Sequence, residues 1–479
     1  MKHDMFEAVI GMEIHAQIAL QSKMFCSCSS DSFEKEPNIN ACPICMGFPG
    51  QLPVINEYAV RKGVKASLAL NCEVQSFSKF DRKNYFYPDL PKGFQISQFD
   101  EPLAIKGWID VDVNGERKRV GITRLHLEDD AGKLTHVENG TLCDYNRSGV
   151  ALMEIVSDPD MRSAAEAGAY ARMVQTILRY TGSSDADMEK GMMRFDASVS
   201  IRPVGDTKLY PRAEIKNLNS FKSLESAIDY EIEKQIEMWE EGKPMDKEIT
   251  VGWTDIKGKT YFLRNKEGAD DYRYFAEPDL PPVNVTEEFL EEIRKELPEM
   301  PTEKFVRYTE QMGMSTAEAE MIAASKDLAK YFDEVAELSG DNKRATTFVS
   351  TILMAHLNKN VMEIGECKVT SKALADLIKM VNDGKISMNM AKGEVFEEMF
   401  EKGSDPVKIV EEKGLGQVSD AGELSKICEQ VVADNSGSVE DYKGGKEQAL
   451  GFLVGQIMKA TKGKANPQMV NDILKKLIG

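Results

Sequence analysis

A change of pattern near residue 280 constrains the fold of this chain more than any other feature of its sequence. Before it, segments such as 108–113 and 195–201 alternate between apolar and polar residues, which is the period of β-strands. Beyond about residue 286 the chain is rich in Glu, Lys, Ala and Met, a composition typical of helices. Pro278, Pro281 and Pro282 lie at the change and interrupt both patterns. The sequence therefore predicts an α+β region with mainly antiparallel strands, followed by an all-α region.

Local signals refine the first region. Asn114 and Gly115 follow the alternating segment 108–113 and are typical of a tight hairpin turn. Apolar residues recur every three or four positions over 164–180, which predicts a helix, and a second, long and acidic helix is predicted over 221–241.

The length of 479 residues accommodates two or three domains. We predict an α+β domain over residues 1–285 and a helical domain over residues 286–405. The glycine and the proline within 402–406 favour a second linker. Residues 406–479 are then expected to form a small α-helical tail domain.

Composition limits the location and the ligands of the protein. No apolar stretch reaches the roughly 18 residues that a membrane-spanning helix needs, and the first residues lack the apolar segment of a signal peptide. With eight cysteines and no export signal, we expect free thiols or metal ligands in a reducing cytoplasm. The formal net charge of −19 repels RNA, so any RNA binding must rely on local basic patches.

Two cysteine pairs, Cys26-x-Cys28 and Cys42-Pro-Ile-Cys45, are the strongest metal signal in the chain. Four thiolates can complete the tetrahedral shell of a structural zinc ion. The alternative is a set of free thiols in a serine-rich loop. We predict the zinc site, with a structural rather than a catalytic role.

Acidic and histidine residues recur on segments that are predicted to be β-strands. Glu13 and His15 are two positions apart, and residues at that spacing share one face of a strand. Glu128 and Glu154 lie on two further such segments. Together the four side chains fit a Mg²⁺ site, since Mg²⁺ prefers carboxylates and phosphate oxygens. Each carboxylate taken alone is more often solvated or paired with a cation.

The segment 79–97 combines cations with aromatic residues, and its two prolines exclude a continuous helix. Lys79, Arg82, Lys83 and Tyr85 are its candidate ligand-binding residues. Cations beside aromatic faces suit an anionic, partly planar ligand such as a nucleotide or the end of an RNA. The alternative is a rigid surface loop whose lysines extend towards solvent.

Some motifs are absent from the sequence. It contains neither G-x-x-x-x-G-K-[ST] nor G-x-G-x-x-G, so nucleotide use cannot be inferred from a phosphate loop. It also lacks a serine-rich amidase signature, and we expect that the chain does not hydrolyse glutamine itself. In the tail, Lys459, Lys462 and Lys464 form a local basic group, although lysines near a helix C-terminus also complement its dipole.

The chain closely resembles the GatB family, the B subunits of aspartyl/glutamyl-tRNA amidotransferases. The resemblance extends from end to end in ordered blocks, which are residues 9–15, 79–97, 121–132, 152–160, 214–221, 270–279 and 451–460. Such proteins form a heterotrimer with an amidase subunit, which hydrolyses glutamine, and a small third subunit. The complex converts Glu-tRNA(Gln), and in many organisms Asp-tRNA(Asn), to the amide.

The resemblance implies specific roles for residues of this chain. It implies a cradle-shaped catalytic domain related to glutamine synthetase and guanido kinases, then a helical domain and a mobile tRNA-binding tail. It implies ATP and Mg²⁺ as cofactors, and zinc at the cysteines in some members. The catalytic residues it favours are Glu13, His15, Lys79, Glu128 and Glu154, four of which align with metal-site positions.

The primary hypothesis is an ATP-dependent activation of the side-chain carboxylate of a misacylated tRNA, followed by amidation with ammonia from a partner. One alternative is a non-catalytic, zinc-stabilised tRNA-binding scaffold, against which the Glu and His cluster argues. Another is a carboxylate–amine ligase that acts on a free amino acid, against which the separate helical tail argues.

Overall fold

The alternating segments of the first region fold into one large sheet. The computed structural model describes residues 5–265, 269–416, 421–461, 465 and 467–479. It divides into two units, residues 1–301 and 302–479, and each is described by itself. The strands of the first unit are β1 (Phe6–Gln17), β2 (Glu73–Val74), β3 (Phe77–Ser78), β4 (Asp81–Asn84), β5 (Phe94–Ser97), β6 (Ala104–Val113), β7 (Glu116–Asp129), β8 (Lys133–Val137), β9 (Gly140–Asp144), β10 (Ala151–Ser157), β11 (Met193–Pro203), β12 (Ala213–Leu218), β13 (Ile249–Thr254), β14 (Lys259–Asn265), β15 (Phe275–Ala276) and β16 (Val283–Asn284).

Nine of these strands form a sheet in the order β14-β13-β12-β11-β1-β10-β7-β6-β2. Every neighbouring pair is antiparallel except β12 and β13, which are parallel. The predicted hairpin is present, because Val113 pairs with Glu116 across Asn114 and Gly115. Both turn residues have positive φ, 55° and 83°, as such a turn requires. The predicted mixed fold with a mainly antiparallel sheet is confirmed.

One face of the sheet is covered by helices α1 (Glu57–Ala69), α2 (Ala164–Thr181) and α3 (Phe221–Glu240). The last two match the helices predicted from the sequence. Ser163 caps α2 by accepting a hydrogen bond from the Glu166 amide, and Gly182 ends it in the left-handed conformation. The even-numbered residues of β1, such as Ile10 and Ile14, are buried against these helices. The odd-numbered residues therefore face the opposite side of the sheet.

Smaller sheets complete the first unit. Strands β15, β4 and β5 form a three-stranded sheet, while β16 pairs with β3 and β8 pairs with β9. The Ser97 hydroxyl at the end of β5 donates to Glu128 Oε2 at 3.3 Å. This contact brings the three-stranded sheet over the face of the large sheet that the helices leave free. Helix α4 (Glu287–Lys295) follows β16.

The second unit is helical, as predicted. Its helices are α5 (Pro301–Val306), α6 (Thr316–Ala323), α7 (Lys326–Ser339), α8 (Asn342–Thr346), α9 (Met354–Asn360), α10 (Ser371–Asn382), α11 (Met388–Met390), α12 (Phe396–Lys402), α13 (Pro406–Lys413), α14 (Ala421–Asp434), α15 (Ser436–Lys443), α16 (Gln448–Ala460) and α17 (Pro467–Ile478). None of the helices in the described part of the chain is both long and apolar enough to cross a lipid bilayer.

Two groups of helices can be distinguished within this unit. Helix α13 packs on α10 and α12, whereas α14, α16 and α17 pack on one another. The latter three enclose their own apolar core, which includes Leu424, Cys428, Leu453 and Leu474. The division at residues 285 and 405 that the sequence suggests stays a prediction.

Candidate active site and metal centre

Strand register aligns three polar residues on the free face of the large sheet. His15 on β1 is the pairing partner of Glu154 on β10, and Glu154 is the partner of His126 on β7. Glu128 lies two residues beyond His126 on the same strand and therefore on the same face. The intervening residues, such as Leu127, are buried on the helix side. The three strands thus place two histidines and two glutamates in one cluster.

The distances in this cluster are short. His15 Nδ1 lies 3.4 Å from Glu128 Oε1 and 3.8 Å from Glu154 Oε2. His126 Nε2 lies 3.7 Å from Glu128 Oε2 and 3.5 Å from Glu154 Oε2. Glu128 is 1 % exposed and Glu154 is 7 % exposed, so both carboxylates are largely withdrawn from water. Burial of two carboxylates this close together requires positive charge between them.

The electrostatics of the cluster agree with that requirement. Burial alone would raise the pKa of Glu128, but contacts from the imidazoles of His126 and His15 hold it well below its usual range. The pKa of Glu154 is lowered against burial by the charges of the same two imidazoles. Burial would lower the pKa of His15, and the two carboxylates raise it instead. The site therefore favours a cation among these groups, either a proton on an imidazole or a metal ion.

The donor set fits a hard divalent ion. One ligand atom each from His15, Glu128 and Glu154 lies within 4.8 Å of the other two. His15 Nδ1 is buried and has no hydrogen-bond partner, although it faces both carboxylates. A nitrogen and two carboxylate oxygens converging on one point suit Mg²⁺, with phosphate oxygens or water as the remaining ligands.

Glu13 lies in a second candidate ligand group, which adjoins this one. It pairs in register with Asp196 on β11, and Glu13, His15 and Asp196 again place their ligand atoms within 4.8 Å of one another. The Lys216 ammonium binds Asp196 at 2.6 Å. The two candidate ligand groups therefore share His15. Asp196 and His126 are not among the residues predicted from the sequence. The signal for them is their place on strands that pair with, or carry, Glu13 and Glu128.

Lys83 and Tyr85 face the acidic cluster from β4 and the residue that follows it. Lys83 Nζ lies 5.0 Å from the ring centroid of Tyr272 and 5.7 Å from that of Tyr85. Burial opposes the charge of Lys83, but nearby Tyr274 and the carboxylates of the cluster keep its pKa above its usual range. Burial also raises the pKa of Tyr85. A charged lysine among aromatic rings, next to a candidate metal site, is suited to a phosphate or a planar base.

Lys79 and Arg82 lie in ion pairs away from the cluster. Lys79 Nζ contacts Asp81 at 2.5 Å and also pairs with Asp100. Arg82 makes a two-pronged pair with Glu277 at 2.6 and 2.8 Å and lies over the ring of Phe94. Successive residues of a strand point to opposite sides. The predicted cofactor-binding residues therefore divide into two sets, with Lys83 and Arg82 on opposite sides of β4.

The Arg82 side chain lines a cavity of about 200 Å³ between β4, β5 and the cysteine-bearing segment. Its other polar side chains include Lys92 and Asp129, which form an ion pair with each other. The remaining lining residues are Phe25, Cys26, Ile44, Cys45, Gly47, Gln51, Pro53, Phe94, Ile96, Gly149, Glu277 and Asp279. Because its cations are already paired with carboxylates, this cavity is a weaker anion site than the Lys83 side.

The four predicted zinc ligands are close together. The Sγ atoms of Cys26, Cys28, Cys42 and Cys45 all lie within 4.8 Å of one another, and all four cysteines are free of disulfides. The Cys42 amide donates to Cys45 Sγ at 3.1 Å. The pKa of Cys45 is lowered to about 4, mainly by a contact from the Cys26 thiol. Four convergent sulfurs with an amide donor could hold a metal ion and would suit a structural zinc ion.

Side-chain hydrogen bonds, together with one isolated β-bridge between Ser22 and Ser29, hold the segment between the two cysteine pairs. The Asn40 amide donates to Asn146 Oδ1 at 2.8 Å, and Asn146 Nδ2 donates to the Glu36 carbonyl at 2.7 Å. Asn38 Nδ2 donates to the Cys143 carbonyl at 3.0 Å. The segment is thereby attached to β9 and to the residues that follow it.

The tail lysines are only partly described. Lys459 lies in the last turn of α16, where its charge complements the helix dipole. Lys462 and Lys464 lie outside the described residues. Their role in tRNA binding stays a prediction.

Comparison with known proteins gives a consistent result over nearly all of the chain. A family described as the GatB/GatE catalytic domain matches residues 8–291, and one described as the GatB domain matches residues 330–478. A protein of Thermoanaerobacter pseudethanolicus (strain ATCC 33223 / 39E), named as the B subunit of aspartyl/glutamyl-tRNA(Asn/Gln) amidotransferase, is 51% identical over 475 residues, which are 98% of each chain. Proteins of the same name from Caldanaerobacter subterraneus subsp. tengcongensis and Persephonella marina are 52% and 48% identical over 98% and 99% of each chain.

Proposed function

The chain belongs to the GatB family, and we propose that it acts as the B subunit of a tRNA-dependent amidotransferase. The observation that carries the proposal is the identity of about half of all residues with such subunits over 98% of the chain. The substrate class is a tRNA that carries glutamate or aspartate, that is Glu-tRNA(Gln), Asp-tRNA(Asn) or both. We expect the activity in the cytoplasm, because charged tRNA is the substrate.

We propose that the reaction has two steps. An oxygen of the substrate carboxylate attacks the γ-phosphorus of ATP and ADP leaves, which gives an acyl phosphate. Ammonia then attacks the acyl carbon, and phosphate leaves as the amide forms. The energy of ATP is needed because a carboxylate by itself is a poor electrophile.

His15, Glu128 and Glu154 would hold Mg²⁺ in this proposal, with Glu13 completing the set from the adjacent group. When bound, the ion would offset the charge of the phosphate oxygens. Lys83 would contact a phosphate, and Tyr85 would pack against the nucleotide or the acceptor end of the tRNA. Lys79 and Arg82 would act there only after exchanging carboxylate partners for substrate, because both are paired with carboxylates.

The finer architecture is also a proposal. We infer a cradle-shaped domain over residues 1–285, related to glutamine synthetase and guanido kinases, and a helical domain over 286–405. Residues 406–479 would bind tRNA, supported by the separate apolar core of α14, α16 and α17. The cysteine group would bind one structural zinc ion. A partner amidase subunit would supply ammonia, while a small third subunit would complete the heterotrimer.

The decisive experiment measures ATP consumption by the purified complex with Glu-tRNA(Gln), Asp-tRNA(Asn) and free glutamate in turn. Consumption with a charged tRNA and none with free glutamate is expected. Tight tRNA binding without ATP consumption would instead favour the non-catalytic scaffold. Consumption with free glutamate alone would favour a free amino-acid ligase.

A further inference from the structure

Lys23 is completely buried beside the cysteine group, with 0 % of its surface exposed. Among the described residues it is the one lysine or arginine that is fully buried. An ammonium group withdrawn from water is strongly disfavoured unless a negative charge or several hydrogen bonds replace the water. The partners of Lys23 therefore indicate what charge its surroundings carry.

Those partners include no carboxylate. Lys23 Nζ donates to the Asn40 carbonyl at 2.7 Å and contacts Cys45 Sγ at 3.8 Å. Within the described residues, no carboxylate oxygen lies within ion-pair distance of this nitrogen. One carbonyl compensates only part of the lost hydration of a charged amine. The remaining candidates for negative charge are the cysteine sulfurs.

The local backbone fixes Lys23 in this position. Its amide donates to the Cys28 carbonyl at 2.9 Å, and the Met24 amide donates to the Gly149 carbonyl at 2.9 Å. Gly149 has a φ of +86°, and a Cβ atom there would lie 3.2 Å from Cys45 Cβ and 3.6 Å from Lys23 Cδ. A Cβ at 149 would crowd Cys45 and would lie in van der Waals contact with Lys23. The aliphatic stem of Lys23 thus passes through a narrow gap that ends at the sulfurs.

We propose that Lys23 is the buried counter-cation of the cysteine-bound metal. Four thiolates around one divalent zinc ion carry two excess negative charges. A positive charge on Lys23 beside Cys45 offsets part of that excess and favours metal-bound thiolates over free thiols. Lys23 is a positioning residue for the metal, and the inference rests on the zinc site of the proposed function.

Lys62 provides a matched control. Its ammonium also binds carbonyl oxygens, those of Ala19 and Gly182, the latter at 2.9 Å. No cysteine is among its hydrogen-bond partners. Lys23→Met and Lys62→Met both remove an amine from backbone carbonyls, but only the first removes a charge from the cysteine group.

The test is zinc affinity of the full chain in its complex, measured under reducing conditions by competition with a chromophoric chelator. Lys23→Met is expected to weaken zinc binding by about 10- to 100-fold, as for loss of an outer-shell partner. Lys62→Met should stay within about twofold of wild type. Unchanged zinc affinity in Lys23→Met would overturn the proposal, whereas absence of zinc from the wild type would overturn the zinc site itself.

A second measurement separates charge from packing and does not depend on activity. Cobalt(II) uptake is followed through the thiolate absorption bands as a function of pH. Because ligand thiols lose protons on binding, Lys23→Met should move the midpoint of uptake to higher pH, and Lys23→Arg, which keeps the charge, should move it less. Equal shifts in both variants would mean that Lys23 acts through packing alone. If Lys23→Met does not fold, the pH midpoint of cobalt uptake is compared between Lys23→Arg and Cys42→Ser, a variant that lacks one ligand, both under reducing conditions. A midpoint in Lys23→Arg as high as that in Cys42→Ser would overturn the proposal.

Discussion

The two candidate metal sites of the first unit are built in opposite ways. In the acidic site, His15, Glu128 and Glu154 stand on three neighbouring strands, and backbone register sets their spacing. In the cysteine site, Cys26 and Cys42 stand on a segment without regular strand pairing, attached by side-chain hydrogen bonds. The ligands of the acidic site stay in place without a metal because the large sheet holds the three strands. The cysteine site rests on scattered hydrogen bonds of an irregular segment, so a metal would contribute more to holding its ligands together.

This difference separates function from stability. A ligand removed from the acidic site leaves the sheet and its helix-covered core unchanged, so the expected loss is in chemistry. A ligand removed from the cysteine site loosens the segment that it closes, so the expected loss is in folding. The following predictions test that separation, from the largest expected effect to the smallest.

Glu128→Gln should produce the largest effect, a loss of tRNA-dependent ATP cleavage of about 10³-fold, which corresponds to about 4 kcal/mol in the barrier. The amide keeps the shape but removes a charge that a metal needs. Thermal unfolding should change less than activity, because the strands that carry the cluster are held by the large sheet and its helix-covered core, although Glu128→Gln weakens the contacts with the two imidazoles. The measurement is ATP hydrolysis in the complex, with tRNA binding and glutaminase rate recorded alongside.

Glu73→Gln is the control for that variant. Glu73 lies on β2 at the edge of the same sheet, is exposed, and pairs with Lys106 at 3.4 Å. It should have wild-type activity. Acyl phosphate formation at a near wild-type rate in Glu128→Gln would show that the acidic cluster is not the phosphoryl-transfer site.

The double substitution of Cys42 and Cys45 by serine should act mainly on folding. We expect a loss of more than about 3 kcal/mol in the free energy of unfolding, beyond the usual range of single substitutions. Turnover per folded molecule should fall much less. Wild-type protein purified without added metal should contain about one zinc ion per chain. Cys143→Ser, a half-buried cysteine outside the group, is the control.

Much of the fold can be predicted because its signals are local. The helices over 164–181 and 221–240 follow from periodicity and capping residues within one segment. The hairpin at Asn114 follows from two adjacent residues. The cysteine group follows from spacing within twenty residues. In each case the residues that decide the structure are close together in the chain.

Which residues of the acidic site lie together depends on the pairing of strands that are far apart in the sequence. The alternation of apolar and polar residues does not show which strands are neighbours. Alternation shows that Glu13 and His15 share a face, but not that β1 lies between β10 and β11. For that reason His126 and Asp196 lie outside the predicted ligand set, and Glu13 and Glu128, which the sequence predicts as one set, fall in two candidate groups that share His15. The opposite directions of Arg82 and Lys83, in contrast, follow from alternation once β4 is known to be a strand.

Removal of residues 416–479 tests a region outside both sites. Helix α13 would be kept, because it packs on α10 and α12. The KM for tRNA should rise about 30-fold, equivalent to about 2 kcal/mol of binding free energy, while zinc content stays the same.

In the full chain, Lys459→Gln should reduce the salt dependence of tRNA binding, measured as the slope of log K against log salt concentration, by about one unit. Unchanged tRNA affinity after truncation would assign the tail another role.

The smallest expected effect compares two lysines of one segment. Lys83 faces the carboxylates of the acidic site, and in the described chain no carboxylate lies within ion-pair distance of it. Lys79 is held by Asp81 and Asp100, which neutralise it. Lys83→Met should therefore lower kcat about tenfold, equivalent to about 1.4 kcal/mol in the barrier, and raise the KM for ATP.

Lys79→Met should lower turnover less and stability more, because it leaves the buried Asp81 without its ammonium partner. Steady-state kinetics with varied ATP, corrected for the folded fraction, distinguish the two; a larger kinetic defect in Lys79→Met would mean that Lys79 leaves its carboxylates to reach the substrate.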